Sequence, residues 1–196
     1  YKNINNTWTQ IGSDIDGESG SGSGFAVSLS ANGSIVAIGS FITQRIYQNL
    51  NNTWTQVGSD IYGEAVGDQS GKSVSLSNDG SVVAISATYN GGNGSTSGHV
   101  RIYQNVNNVW TQEANIEGEN ALDAIGRSIS LSGDGKTVIA GSEAFDSSKG
   151  LARIYRKINN TWTKLGQDIV GEPGDRFGAQ VSISTDGNRI AIGAPN

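Results

Sequence analysis

Trp8, Trp54, Trp110 and Trp162 each stand in the same short phrase, and this constrains the chain more than any other feature. The phrase reads Asn-Asn-Thr-Trp-Thr-Gln at 5–10 and 51–56, Asn-Asn-Val-Trp-Thr-Gln at 107–112 and Asn-Asn-Thr-Trp-Thr-Lys at 159–164. Ile15, Ile61 and Ile169 follow their Trp by seven residues and Ile116 follows Trp110 by six; each leads to a Gly-Glu pair ending at Glu18, Glu64, Glu172 or Glu119. A unit of about 50 residues repeated four times must build its core between neighbouring copies, because so short a unit buries little apolar surface alone.

Inside each unit the apolar period is two, which specifies strands. A first strand alternates apolar residues with Ser, as in Val74-Ser75-Leu76-Ser77 and Ile129-Ser130-Leu131-Ser132. It ends in Asn32-Gly33, Asp79-Gly80, Asp134-Gly135 or Asp186-Gly187, dipeptides expected to close two-residue hairpins. A second strand follows as a continuous apolar run, Ile35–Gly39, Val82–Ser86, Val138–Gly141 or Ile190–Gly193, expected where both faces are covered. A third carries Arg45-Ile46-Tyr47, Arg101-Ile102-Tyr103 or Arg153-Ile154-Tyr155, and an Asn-Asn turn leads to a fourth that carries the Trp. No stretch has helical periodicity.

Four antiparallel strands per tandem unit predict an all-β chain, a β-propeller of four-stranded blades. The Ser-rich first strand suits the crowded innermost position, and the aromatic residues of the third and fourth suit the wide outer gap. Residues 1–196 read as one propeller region with repeats at about 1–46, 47–102, 103–154 and 155–196. Complete blades fall at about 25–57, 72–112 and 127–165, with an inner pair at 177–194 and residues 1–11 as a closing strand. The third strand of that last set is reduced to Tyr1. Four repeats are few for such a ring, so the chain reads as part of a larger propeller or repeat array.

The last unit contains Asp175-Arg176-Phe177-Gly178-Ala179 and then Ile190-Ala191-Ile192-Gly193-Ala194-Pro195. This resembles the FG-GAP repeat, the blade of integrin-α-type propellers. In the other units Ser23, Ser70 and Ile125 replace the Phe, while Gly24, Gly71 and Gly126 persist. The resemblance implies a propeller, an extracellular or cell-surface setting and a binding or adhesive role. The family's calcium loop lies between the first two strands, where this chain has only a short turn.

Several residue sets are candidate sites. Trp8, Trp54, Trp110 and Trp162 offer platforms for sugar rings, four equivalent lectin-type sites; alternatively they fill the gaps between blades. Glu64 with Asp68, Glu119 with Asp123 and Glu172 with Asp175 could supply oxygens to Ca²⁺; alternatively they pair with Lys72, Arg127 and Arg176 or cap loop amides. Arg45, Arg101 and Arg153 read as blade-edge charges. Asn5, Asn32, Asn51, Asn93 and Asn159 each begin an N-glycosylation sequon, or simply serve as turn residues. The loops after the second strand, at Tyr89–Gly98 and Ala144–Gly150, vary between copies and are expected to carry specificity.

Composition excludes more than it selects. The chain of 196 residues has no Cys, one His (His99) and a net charge of −5. It therefore has no thiol chemistry and no His-based metal cluster, and its acidity disfavours phosphate backbones and so nucleic acid. The longest apolar runs are far too short to span a bilayer, so no membrane insertion is expected. Without a nucleophile elbow or an asymmetric catalytic constellation, the expectation is a non-enzymatic extracellular or cell-surface module. Its role would be adhesion, protein interaction or a structural part of a larger assembly, with other proteins, glycans or further copies as partners. The alternative is a lectin-type propeller binding glycans in Trp-lined clefts.

Overall fold

A computed structural model describes residues 1–195, and it is built from antiparallel sheets. A hairpin, β1 (Lys2–Ile4) and β2 (Thr7–Thr9), comes first. The first complete blade is β3 (Ala26–Leu29), β4 (Ile35–Gly39), β5 (Thr43–Leu50) and β6 (Thr53–Gln56), with β7 (Ile61–Tyr62) added on β5. The second is β8 (Ser70–Leu76), β9 (Val82–Ala87), β10 (His99–Val106) and β11 (Val109–Glu117). The third is β12 (Ser128–Leu131), β13 (Thr137–Ser142), β14 (Leu151–Ile158) and β15 (Thr161–Lys164), with β16 (Ile169–Val170) on β14. β17 (Gln180–Ile183) and β18 (Ile190–Gly193) close the series as a separate hairpin. The all-β, propeller-like architecture is the one the repeat predicts. The third strand of the incomplete set extends beyond Tyr1, because Lys2–Ile4 pairs with Thr7–Thr9.

The core lies between blades. Val82, Ala84, Val100, Ile102 and Ile116 of the second blade meet Ile129, Leu131, Val138, Ala140 and Leu151 of the third. On its other face, Val83 and Ile85 meet Ala37, Ile46 and Ile61 of the first. Successive residues of β9 thus enter opposite seams, and every residue of β9 and β13 is buried. That explains an unbroken apolar run in an antiparallel strand, where one wet face would impose alternation.

The Ser residues of the inner strands join the blades directly. Ser28 Oγ accepts Leu76 N–H at 2.9 Å, Ser75 Oγ accepts Leu131 N–H at 2.9 Å and Ser130 Oγ accepts Ile183 N–H at 3.2 Å. The innermost strand has no neighbour on its channel edge, and the hydroxyls of the preceding blade satisfy the amides that would otherwise be orphaned. The inner turns continue this: Ala31 N–H donates to Asn78 O, Asn78 N–H to Gly133 O and Gly133 N–H to Thr185 O, each at 2.9 Å.

One turn assignment is corrected. The inner turn is a four-residue loop: Ser30 N–H donates to Ile35 O, and the side chains of Asn32, Asp79, Asp134 and Asp186 accept the backbone amide two residues on. The two-residue turn lies at the outer hairpin instead. There Asn51 and Asn52 adopt φ of 52° and 65°, and the equivalent Asn pairs at 5, 107 and 159 do the same, the positive-φ pair of a type I′ turn.

Candidate functional site

The Trp side chains define the outer seams. Trp54 Nε1 donates to Ile11 O at 3.0 Å, and Trp110 Nε1 donates to Val57 O at 2.8 Å. Each indole covers the glycine that follows that acceptor, Gly12 or Gly58, where any side chain would strike the ring. These two Trp residues are half-buried parts of the frame. Trp8 occupies the same position in the first hairpin and is 68% exposed.

Trp162 departs from the pattern because of the six-residue spacing after Trp110. With one residue fewer and no glycine, β11 runs unbroken for nine residues and absorbs the shift as a bulge at Ile102/Tyr103. Trp162 Nε1 then has no hydrogen-bond partner among the described residues. A cleft of about 610 Å³ opens beside it, lined by Tyr155, Asn93, Asn115, Glu117 and Asn160 among others.

Two of the acidic pairs converge, on donors of the protein itself: Glu119 and Asp123 on Arg153, Glu64 and Asp68 on Asn90. Asp123 is 2% exposed, 3.0 Å from Arg153, and its carboxylate also accepts the amides of Glu119 and Asn120. Glu119 pairs with Lys164 at 2.8 Å and with Arg153 at 3.4 Å. Glu64 and Asp68 both accept from Asn90 Nδ2, and Glu64 lies 3.9 Å from Arg101. Asp175 accepts the Glu172 amide. The loop-capping alternative therefore describes Asp123 and Asp175. The cations that meet the acids are Arg101, Arg153 and Lys164, whereas Arg127 and Arg176 both pair with Glu143. Among the described residues no group of three or more His, Asp or Glu is arranged to hold a metal.

Arg101 and Arg153 are also not blade-edge charges. They are 5% and 1% exposed, and Arg153 is held by Asp168 and Asp123 as well as Glu119. β14 carries Arg153 into the seam, where its fixed fork of donors suits several carboxylates at once.

His99 is equally buried, and neither ring nitrogen has a hydrogen-bond partner among the described residues; Nδ1 lies 4.0 Å from Glu64. Burial, reinforced by the Arg101 charge, pushes its pKa down to about 4 against the opposing pull of Glu64 and Asp68. The folded state therefore holds neutral imidazole, while the unfolded chain binds a proton near pH 6.5. This contribution to stability is complete above about pH 6.5 and is lost as pH falls toward 4, by up to about 3 kcal/mol. Urea titrations of wild type and His99→Asn between pH 7 and 4 measure it. The variant is expected to show a flatter acid limb, and identical limbs would count against it.

All five sequon asparagines are exposed. Asn93 Nδ2 donates to Gly118 O, and Asn32 accepts within its turn, so Asn5, Asn51 and Asn159 are the less engaged. The loops after the second strand are pinned to the next connection. Leu122, Ala124 and Ile125 donate to Ser95, Thr96 and Ser97, while Arg176 and Phe177 donate to Ser148 and Lys149. The second loop turns through Asp146, Ser147 and Ser148 at positive φ, forming the short helical segment Phe145–Ser148 that periodicity did not indicate.

One cluster was overlooked as a site. The residue after the persistent glycine is Phe25, Lys72, Arg127 or Ala179 in successive units. Adjacent blades bring Lys72 and Arg127 to one pocket of about 200 Å³ with Thr88, Tyr89, Ala124, Glu143 and Ala144. The equivalence of positions 72 and 127 was visible in the repeat, but their convergence needed the blade packing.

No family model matches the sequence, and no curated protein matches it. Among solved structures, the chain is similar to a Bacteroides fragilis protein described as a "putative 6-phosphogluconolactonase", at 13% identity and a TM-score of 0.57, over 85% of this chain and 40% of that one. It is also similar to hydrazine synthase of Kuenenia stuttgartiensis, at 16% identity and a TM-score of 0.58, over 93% of this chain and 44% of that one. The chain thus spans less than half the length of either. The expectation of a non-enzymatic chain is withdrawn, because the first of these similar structures carries an enzyme's description. Repeat symmetry is no argument against catalysis when single departures such as the Lys72–Arg127 pocket arise on a symmetric frame. At these identities the likeness establishes the fold: this chain is built as a β-propeller-like array of blades.

Proposed function

We propose that the chain is a run of blades from a larger β-propeller that serves at the cell surface in adhesion or protein interaction, with further blades of the same repeat against its two end faces. The observation that carries the assembly part is the seam. Ile11–Gly12 receives Trp54 and Val57–Gly58 receives Trp110, while Trp8 stands exposed and Gly166 has no described atom against it. The end faces are the two halves of one internal interface. Val27 and Leu29 of the first inner strand are also exposed, whereas their counterparts Ser75-flanking Val74 and Leu76 are buried in a seam. The two end faces are complementary, so in the purified chain a second copy can take the place of the neighbouring blades, head to tail. The cell-surface setting and the FG-GAP kinship rest on the Phe177-Gly178 and Gly193-Ala194-Pro195 words of the last unit.

Light scattering of the purified chain over a range of concentrations tests the assembly. A dimer is expected, and Trp8→Ser should return it to monomer with an unchanged far-ultraviolet spectrum. A monomer at all concentrations, or a dimer indifferent to Trp8, would overturn the reading.

A second reading, glycan binding, is favoured at Trp162, where the indole and Tyr155 line a polar cleft. Aromatic faces flanked by amides and carboxylates suit a sugar ring. A glycan array on which wild type and Trp162→Ala bind alike would remove it.

A further inference from the structure

Lys72 and Arg127 occupy the same position in adjacent blades, each just after a glycine that opens an inner strand, so propeller packing sets two cations at one pocket. Glu143, the pocket's single carboxylate, is already shared: Arg127 Nε donates to it at 2.6 Å and Arg176 Nη2 donates to it at 2.6 Å. Lys72 makes no ion pair among the described residues, and its ammonium lies 4.5 Å from the centre of the Phe25 ring. Burial and the Arg127 charge together draw it below the ordinary lysine range, only partly offset by Glu143. Two cations line the pocket against one carboxylate, and that carboxylate is also claimed by Arg176 from outside the lining, so the pocket is net positive on a chain whose net charge is −5.

A second, independent feature points to a ligand. Thr88 lines the same pocket, is 4% exposed, and its hydroxyl has no hydrogen-bond partner among the described residues. A buried hydroxyl left unpaired destabilises the fold, and an oxyanion in the pocket would satisfy it by accepting from it. The Nη groups of Arg127 are not taken by Glu143, which is bound through Nε.

We propose that this pocket binds a small molecule through its phosphate group. Lys72 and Arg127 supply the charge, the Thr88 hydroxyl a neutral donor, and Tyr89, at the mouth, a surface for the body of the ligand. A phosphate's negative charge complements the two cations of the lining, and its three terminal oxygens match an ammonium, a guanidinium and a hydroxyl. This site is distinct from the Trp seams and from the end faces, so it stands or falls apart from the assembly reading.

Isothermal titration of the intact chain with inorganic phosphate, at ionic strength held constant with chloride, tests it. Saturable binding is expected, at least about tenfold weaker in Lys72→Gln and a few-fold weaker in Thr88→Val. Neither variant should lose much stability in chloride, because Lys72→Gln gives up the contact with the Phe25 ring but relieves the repulsion from Arg127, and Thr88→Val removes an unpaired hydroxyl. Absence of saturable binding by wild type overturns the proposal, as does equal affinity in wild type and Lys72→Gln. Were Lys72→Gln to unfold, Thr88→Val decides alone, and undiminished binding by it overturns the role given to the hydroxyl and with it the site.

Discussion

Replacing Arg153 with Met is expected to destabilise the fold by about 3–5 kcal/mol, the loss found when one partner of a buried ion pair is removed. The guanidinium is 1% exposed and Asp123 is 2% exposed, at 3.0 Å. Without Arg153, Asp123 would keep the amides of Glu119 and Asn120 but remain a buried carboxylate with no counter-charge. Burial alone would lower the Arg153 pKa, yet the hydrogen bonds to Asp168 and Asp123 outweigh it and hold the group firmly charged. Lys should rescue little, since one ammonium cannot replace contacts through Nε, Nη1 and Nη2 to two aspartates. Arg45, its counterpart in the first blade, is the internal control. Its side chain is 24% exposed and one partner, Glu18, is 73% exposed, so Arg45→Met should lose about 1 kcal/mol or less. Urea denaturation of both variants decides this, and a loss below about 1 kcal/mol at Arg153 would show that the seam tolerates the unpaired acid.

The contrast between these arginines marks the limit of sequence reading here. Arg45, Arg101 and Arg153 are the same residue in the same strand, and nothing local distinguishes them. Their burial depends on how many blades stand on either side, which is a property of the stack. The same holds for the inner serines: their alternation revealed the strand and its crowded position, but the amides they satisfy belong to the next blade, about 50 residues away. Trp54 and Trp162 share a phrase, and the missing residue after Trp110 was legible. Its consequence, a straightened β11 and an indole without its acceptor, appears only when the third blade is laid on the second. Short-range turn chemistry misled in one respect, because Asx side chains that accept local amides stabilise a four-residue loop as readily as Asn-Gly or Asp-Gly closes a tight hairpin.

The glycine that persists where the preceding Phe does not leads to the second large expected effect. Gly71→Ala should destabilise by about 3 kcal/mol or more, whereas Gly24→Ala should lose about 1 kcal/mol. Both residues adopt positive φ, 86° and 84°, so both alanines suffer the left-handed backbone penalty. They differ in what lies beside them. A Cβ on Gly71 would overlap the backbone of Ser40 at the end of the first blade's second strand, and would press the Gln44 side chain. Gln44 is buried and bridges the seam by donating to the carbonyls of Ser40 and Ser70. The methyl could be admitted only by parting two blades there. Among the described residues nothing lies within 4 Å of a Cβ placed on Gly24. For a domain of this size the difference corresponds to melting temperatures lowered by about 10 °C at Gly71 and about 3 °C at Gly24. The pair also reports on assembly: if a second copy covers the first blade's open face, Gly24→Ala should weaken the dimer while leaving the monomer's melt nearly unchanged. Equal losses at the two positions in the monomer would mean that backbone conformation, not the approach of the neighbouring blade, keeps the glycine in every unit.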